Sequence, residues 1–104
     1  MTMVSVIVPI YRVERYIERC VLSLMAQTLE DVEFIFVDDA SDDGSIDILN
    51  RVVKQYDNRH VVILHHKTNL GLPAARNSGM AVAKGNYIYH CDSDDWLDPS
   101  LLEV

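Results

Sequence analysis

The chain has 104 residues, 49% of them hydrophobic and 24% charged, with a formal net charge of -7. That is one domain with a real core, neither disordered nor long enough for two. Sixteen acidic residues against nine basic ones argue against non-specific nucleic-acid binding, which needs a basic surface.

No apolar run approaches the ~20 residues of a membrane helix. The N-terminus has no basic n-region or small-residue cleavage site, so it does not read as a signal peptide. Cys20 and Cys91 are the two cysteines. They lack the density of a secreted disulfide scaffold, and the expectation is two buried, inert thiols in a reducing cytosol.

The elements alternate. Val4 to Ile10 is apolar and β-branched, a strand. From Val13 to Gln27, apolar residues at Val13, Tyr16, Ile17, Cys20, Val21, Leu24 and Met25 keep the spacing of an amphipathic helix. Glu33 to Val37 is a second strand, and Asp38 to Gly44 a polar loop. Ser45 is placed to cap a second helix carrying Ile46, Leu49, Val52, Val53 and Tyr56 on its apolar face. Val61 to Leu64 is a third strand. Pro73 opens a third helix that runs to Lys84, with Gly85 as its C-terminal stop. Asn86 to Cys91 is a fourth strand, Asp92 to Asp95 an acidic loop, and Asp98-Pro99 the start of another helix. Continuous apolar strands joined by helices predict an α/β fold, a parallel sheet covered on both faces.

Such sheets bind ligands at the carboxyl ends of their strands, where strand order reverses. With the order 3-2-1-4, three strand ends meet at one crevice. They carry Pro9 and Tyr11, then Asp38 and Asp39, then Asp92, Asp94 and Asp95. Carboxylates crowded together raise one another's pKa, and a hard divalent cation, Mg²⁺ or Mn²⁺, is the natural remedy. Asp92-Ser93-Asp94 is a D-x-D spacing, able to hold such a cation together with a diphosphate. Asp38 is placed to accept hydrogen bonds from a nucleoside, and Tyr11 to stack on a base. The first strand is followed by Pro9-Ile10-Tyr11-Arg12-Val13-Glu14, not by G-x-G-x-x-G, which excludes a dinucleotide fold. Arg76 is placed to contact phosphate or to neutralise the acids. The four histidines, 60, 65, 66 and 90, have no zinc-ligand spacing. Trp96 reads as a packing anchor. A phosphoacceptor receiver domain would carry its acids after strands one and three, whereas here they follow strands two and four. A binding module that had lost its chemistry would not need Asp38, Asp92 and Asp94.

Six segments, VSVIVPIY (4–11), Gln27-Thr28, FVDDAS (36–41), NLGLPAARNSG (69–79), GNYIY (85–89) and DSDDW (92–96), together resemble the family 2 glycosyltransferases across essentially the whole chain. The resemblance implies a Rossmann-like GT-A fold and inverting transfer from a nucleotide-diphosphate sugar, most often a UDP-sugar. The acceptor would be a glycan or lipid-linked molecule, in a cytoplasmic bacterial enzyme whose longer parent would be peripheral to the inner face of the membrane. It implies that Asp38 contacts the base with Asp39 beside it, and that Pro9 and Tyr11 cup the nucleoside. It places Asp92 and Asp94 near ribose and metal, Asp94 as the direct ligand, and Arg76 near the diphosphate. Two positions depart from the family: Arg12 stands where asparagine is usual, and Ala40 where glycine is common. The family's general base and acceptor-binding half lie beyond residue 104, so residues 1–104 are expected to form the donor-nucleotide half, inactive alone. Without the rest of the sheet, the fourth strand is expected to favour self-association.

Overall fold

The computed structural model describes residues 3–56 and 58–93. Four parallel strands, β1 (Val4–Ile10), β2 (Val32–Asp38), β3 (His60–His65) and β4 (Tyr87–His90), form one sheet in the order β3-β2-β1-β4. Three helices connect them: α1 (Ile17–Met25), α2 (Ser45–Val53) and α3 (Leu72–Val82). No helix among the described residues is long and apolar enough to cross a membrane.

The two central strands are buried along their whole length, which is why they read as unbroken apolar runs. Alternate residues serve opposite faces. Val4, Val6, Val8, Ile10, Phe34 and Phe36 pack against Ile17, Cys20, Val21 and Leu24 of α1 and Leu49 and Val52 of α2. Ile7, Ile35 and Val37 pack against Ala75 of α3 on the other face. Gly79 lets α3 approach closely, since a Cβ there would lie 2.6 Å from Ile7 Cγ2.

Three local expectations are corrected. The first helix starts at Ile17, not Val13. Arg12 has φ +53°, and the amides of Val13 and Glu14 are donated to Ser45 Oγ at 3.0 Å and Asp43 Oδ2 at 3.3 Å. Those contacts hold residues 13–16 as a turn against the 41–45 loop. Ser45 is the first residue of α2 rather than its cap: its own N–H is accepted by Asp43 Oδ1 at 3.0 Å. Gly85 does not end the third helix, which stops at Val82 with Ala83 already extended. Lys84 N–H is donated to Glu33 Oε2 at 2.5 Å and Gly85 N–H to Ser5 Oγ at 2.8 Å, so the chain leaving α3 is tied to β1 and β2. The expected acidic loop from Asp94, Trp96 and the helix opening at Asp98 lie outside the described residues.

The two departures from the family pattern gain a physical meaning here. Arg12 and Ala40 are the two non-glycine residues with positive φ among the described residues, at +53° and +58°. Asparagine and glycine are the residues that accept that conformation most readily. Ala40→Gly is therefore expected to stabilise the domain by up to about 1 kcal/mol, strain relief exceeding the entropy glycine adds to the unfolded chain. An upward shift of the urea midpoint checks it.

Candidate functional site

A cleft of about 420 Å³ opens at the carboxyl ends of the strands, within the size range of small-molecule sites. Its position follows from register. Ile10 pairs with Asp38, so β1 and β2 end level, while β4 ends at His90 opposite Ile7. Cys91 N–H is donated to Ile7 O at 3.0 Å, which sets Asp92 and Ser93 beside the end of β1. Pro9, Ile10, Tyr11 and Val13 form one side, Asn69, Gly71, Leu72 and Ala75 the other, with Asp39, Asp92 and Ser93 between them.

The adjacent aspartates do different things. Asp38 is not among the residues lining the cleft. Its Oδ1 accepts the Ser41 amide at 2.9 Å, and its Oδ2 lies 2.9 Å from His65 Nδ1. Asp39 does line the cleft, and its side chain is only 4% exposed. Asp39 Oδ1 accepts the Leu70 amide at 2.9 Å and faces His66 Nδ1 at 2.8 Å. Asp39 Oδ2 accepts the Gly71 amide at 2.9 Å and Asn69 Nδ2 at 3.0 Å. Burial pushes this carboxyl up, but the Leu70 amide, His66 and the Gly71 amide outweigh it and hold it below the usual range.

Tyr11 stands at the cleft wall with the Arg12 guanidinium 5.0 Å from its ring centroid. That guanidinium pairs in bidentate fashion with Asp42, both contacts at 2.9 Å. On the opposite rim, Arg76 Nη2 is donated to Asp92 Oδ1 at 3.3 Å. Arg76 Nε is buried without a hydrogen-bond partner among the described residues, an N–H able to take an anionic oxygen. The structure thus gathers Pro9, Tyr11, Asp39 and Asp92 around one cleft, with Arg76 bonded to Asp92. Asp38 is not among the lining residues, and Asp94 lies outside the described residues. Cys20 and Cys91 are both buried, and both thiols face the Asp92 carbonyl oxygen, at 3.9 and 3.5 Å.

The sequence reading missed His65 and His66, having tested histidines only for zinc spacing. The signal was present: two acids end one strand, two imidazoles end the next, and the register sets Asp38 opposite His65.

Acid should weaken the domain at both ends of the sheet. Asp43 is held at about 2: burial raises it, but the Ser45 and Ser41 hydroxyls and the amides of Ser45 and Glu14 lower it further. Glu33 is also lowered: burial raises it, and the Ser5 hydroxyl and Lys84 amide overcome that. With Asp39, all three have folded-state values below the unfolded ones. Their stabilisation is therefore complete above the unfolded pKa of about 4 and is lost as pH falls through the folded values. The urea midpoint is expected to be level from pH 7 to 5 and to drop steadily toward pH 2.

Residues 5–104 match the sequence model for Glycosyl transferase family 2. The poly(ribitol-phosphate) beta-glucosyltransferase of Bacillus spizizenii is 44% identical over 102 residues, covering 95% of this chain and 16% of that protein. Residues 1–349 of TarS from S. aureus, solved with UDP, superpose with a TM-score of 0.89 at 30% identity over 98% of this chain and 30% of that one. The mannosyltransferase PcManGT from Pyrobaculum calidifontis, solved with GDP-Man and Mn²⁺, gives a TM-score of 0.85 at 26% identity, over 89% of this chain and 28% of that one. The chain therefore spans less than a third of each of these relatives. Its sheet order and flanking helices are those of the GT-A glycosyltransferases. By sequence and by fold, this chain belongs to glycosyl transferase family 2.

Proposed function

We propose that residues 1–104 are the donor-nucleotide half of an inverting, metal-dependent glycosyltransferase, and that this chain alone binds donor without turning it over. The observation that carries the reading is the cleft itself. An aromatic ring, a buried carboxylate and an arginine-paired carboxylate converge where three parallel strands end.

In this reading the base lies between Tyr11 with Pro9 and the 69–72 wall. Asp39, rather than Asp38, is the carboxylate that faces it. A carboxylate accepts hydrogen bonds only, so it favours a base with a ring N–H, as uracil has. A base N–H reaching Asp39 Oδ2 would replace the Asn69 amide, whose bond is shared with the Asp39 carbonyl at 3.3 Å. Arg76 serves the diphosphate through Nε, which has no hydrogen-bond partner among the described residues. UDP bound to TarS favours uridine, and GDP-Man bound to PcManGT keeps guanosine in play.

Asp92 suits a hard cation. It is 54% exposed at the rim, and one of its oxygens makes no hydrogen bond among the described residues. With Asp94 it would hold Mn²⁺ or Mg²⁺. A divalent ion there supplies a Lewis acid that offsets the charge of the leaving nucleoside diphosphate. The acceptor, a glycan or lipid-linked molecule, would meet a general base carried by sequence beyond residue 104, on the cytoplasmic side of a membrane. The exposed edge strand β4, with Tyr87 68% exposed, supports self-association of the isolated chain.

Calorimetry with UDP tests the reading. Binding is expected with Mn²⁺, weakened about tenfold or more by chelation or by Asp92→Ala, the scale of a lost charge-assisted contact. Equal binding by the parent with Mn²⁺ and with chelator would remove the metal from the reading. No binding by the parent in either condition would overturn the nucleotide assignment.

A further inference from the structure

Of the two imidazoles at the end of β3, His65 is 58% exposed and His66 only 10%. Both ring nitrogens of His66 are engaged. Nδ1 lies 2.8 Å from Asp39 Oδ1, and Nε2 lies 2.7 Å from Ser78 Oγ on α3. An ionised carboxylate only accepts, so Nδ1 carries a proton, and the Ser78 hydroxyl donates to Nε2 when the ring is neutral.

The atoms follow the serine–histidine–aspartate order of a hydrolase. Ser78 sits inside α3, however, where backbone N–H groups are consumed by the helix ladder. No donor pair is left there for an oxyanion. The chain of bonds instead acts in the opposite direction, from the helix through the ring to the carboxylate. Asp39 then holds the amides of Leu70 and Gly71 and the side chain of Asn69. Gly71, with φ +97°, is the residue from which α3 starts. Asn69 and Gly71 belong to the cleft wall, as Asp39 does.

We propose that His66, braced by Ser78, is a positioning residue that fixes the rotation of Asp39 and through it the 69–71 wall, against which the nucleoside is read. The proposal rests on the nucleotide reading of the cleft. A buried imidazole suits the task because it is rigid and bridges two partners on opposite sides of one ring.

Two substitutions separate positioning from bulk support. His66→Asn keeps an amide N–H near the place of Nδ1 and gives up Ser78. His66→Gln reaches toward Ser78 and leaves Asp39 Oδ1 without its ring partner. Three quantities are read for each: the backbone amide proton shifts of Leu70 and Gly71, the UDP dissociation constant with Mn²⁺, and the urea midpoint. His66→Gln is expected to move both amide signals and weaken UDP about tenfold, one hydrogen bond to a charged group. His66→Asn, which gives up only the Ser78 brace, should move both amides less than His66→Gln does and leave UDP within about threefold. Unmoved amides in His66→Gln, or equal losses in both variants that follow the urea midpoint, would overturn the proposal. If the amides respond as expected but no form binds UDP, the nucleotide reading falls and the role of His66 in holding the wall stands.

Discussion

Asp39→Ala is expected to destabilise the domain by about 3–5 kcal/mol, the cost of breaking a buried charged network from one side. The carboxylate accepts from two backbone amides, one side-chain amide and one imidazole. Its removal strands four donors near the cleft floor, each costing roughly 1–3 kcal/mol if it stays dry. The wall must then rearrange toward water, which caps the total. Asp39→Asn should recover only part of the loss, because one oxygen becomes an NH₂ group facing further N–H donors. Against a domain stability of about 5–15 kcal/mol, the alanine variant is folded but marginal. Urea unfolding reads the loss. UDP calorimetry at a temperature where the variant remains folded should show binding abolished, since the 69–71 wall no longer has an anchor. A variant as stable as its parent would mean that water replaces the carboxylate without cost.

The second large effect is expected at Gly85. A Cβ there would sit 2.7 Å from the Ser5 amide nitrogen and 2.8 Å from the Val4 carbonyl carbon. Those are backbone atoms of β1, which is paired on both sides and cannot retreat. Gly85→Ala should therefore cost about 3 kcal/mol, the upper end of overpacking. The strain is released by lifting β4 away. Hydrogen exchange at the Tyr87 and Cys91 amides, which bond to Met3 O and Ile7 O, should accelerate more than exchange between β1 and β2. The same urea assay should move in opposite directions for Gly85→Ala and Ala40→Gly.

The sheet was legible because its signals are long-range and redundant. Continuous apolar runs mark the buried strands, and the helical spacing between them requires crossovers, so the alternation alone implies a parallel sheet. The placement of Tyr11, Asp39 and Asp92 at one edge then follows from strand order. What escaped were the bonds between loops. The start of α1 is set by Ser45 and Asp43, thirty residues downstream, which no local periodicity encodes. Gly85 looks like a helix terminator until its distance to β1 is known. The roles of Asp38 and Asp39 diverge because adjacent residues leave a strand end in different directions, and composition treats them alike. The resemblance to family 2 did locate Arg12 and Ala40 as departures, and only the backbone angles explain why asparagine and glycine are favoured there.

The central position of β1 has a consequence for biosynthesis. It precedes its two partner strands in the chain, and β2 can pair with one side of it early. Its other side waits for β4, as the bond between Gly85 and Ser5, 80 positions apart, makes plain. Throughout that interval a buried-type strand presents an open hydrogen-bonding edge, the condition in which nascent chains capture one another. Pairing at such separation is also slow. Yield in cells should thus depend on how quickly the ribosome delivers the stretch from 60 to 90, and on chaperones that occupy β1 until it arrives.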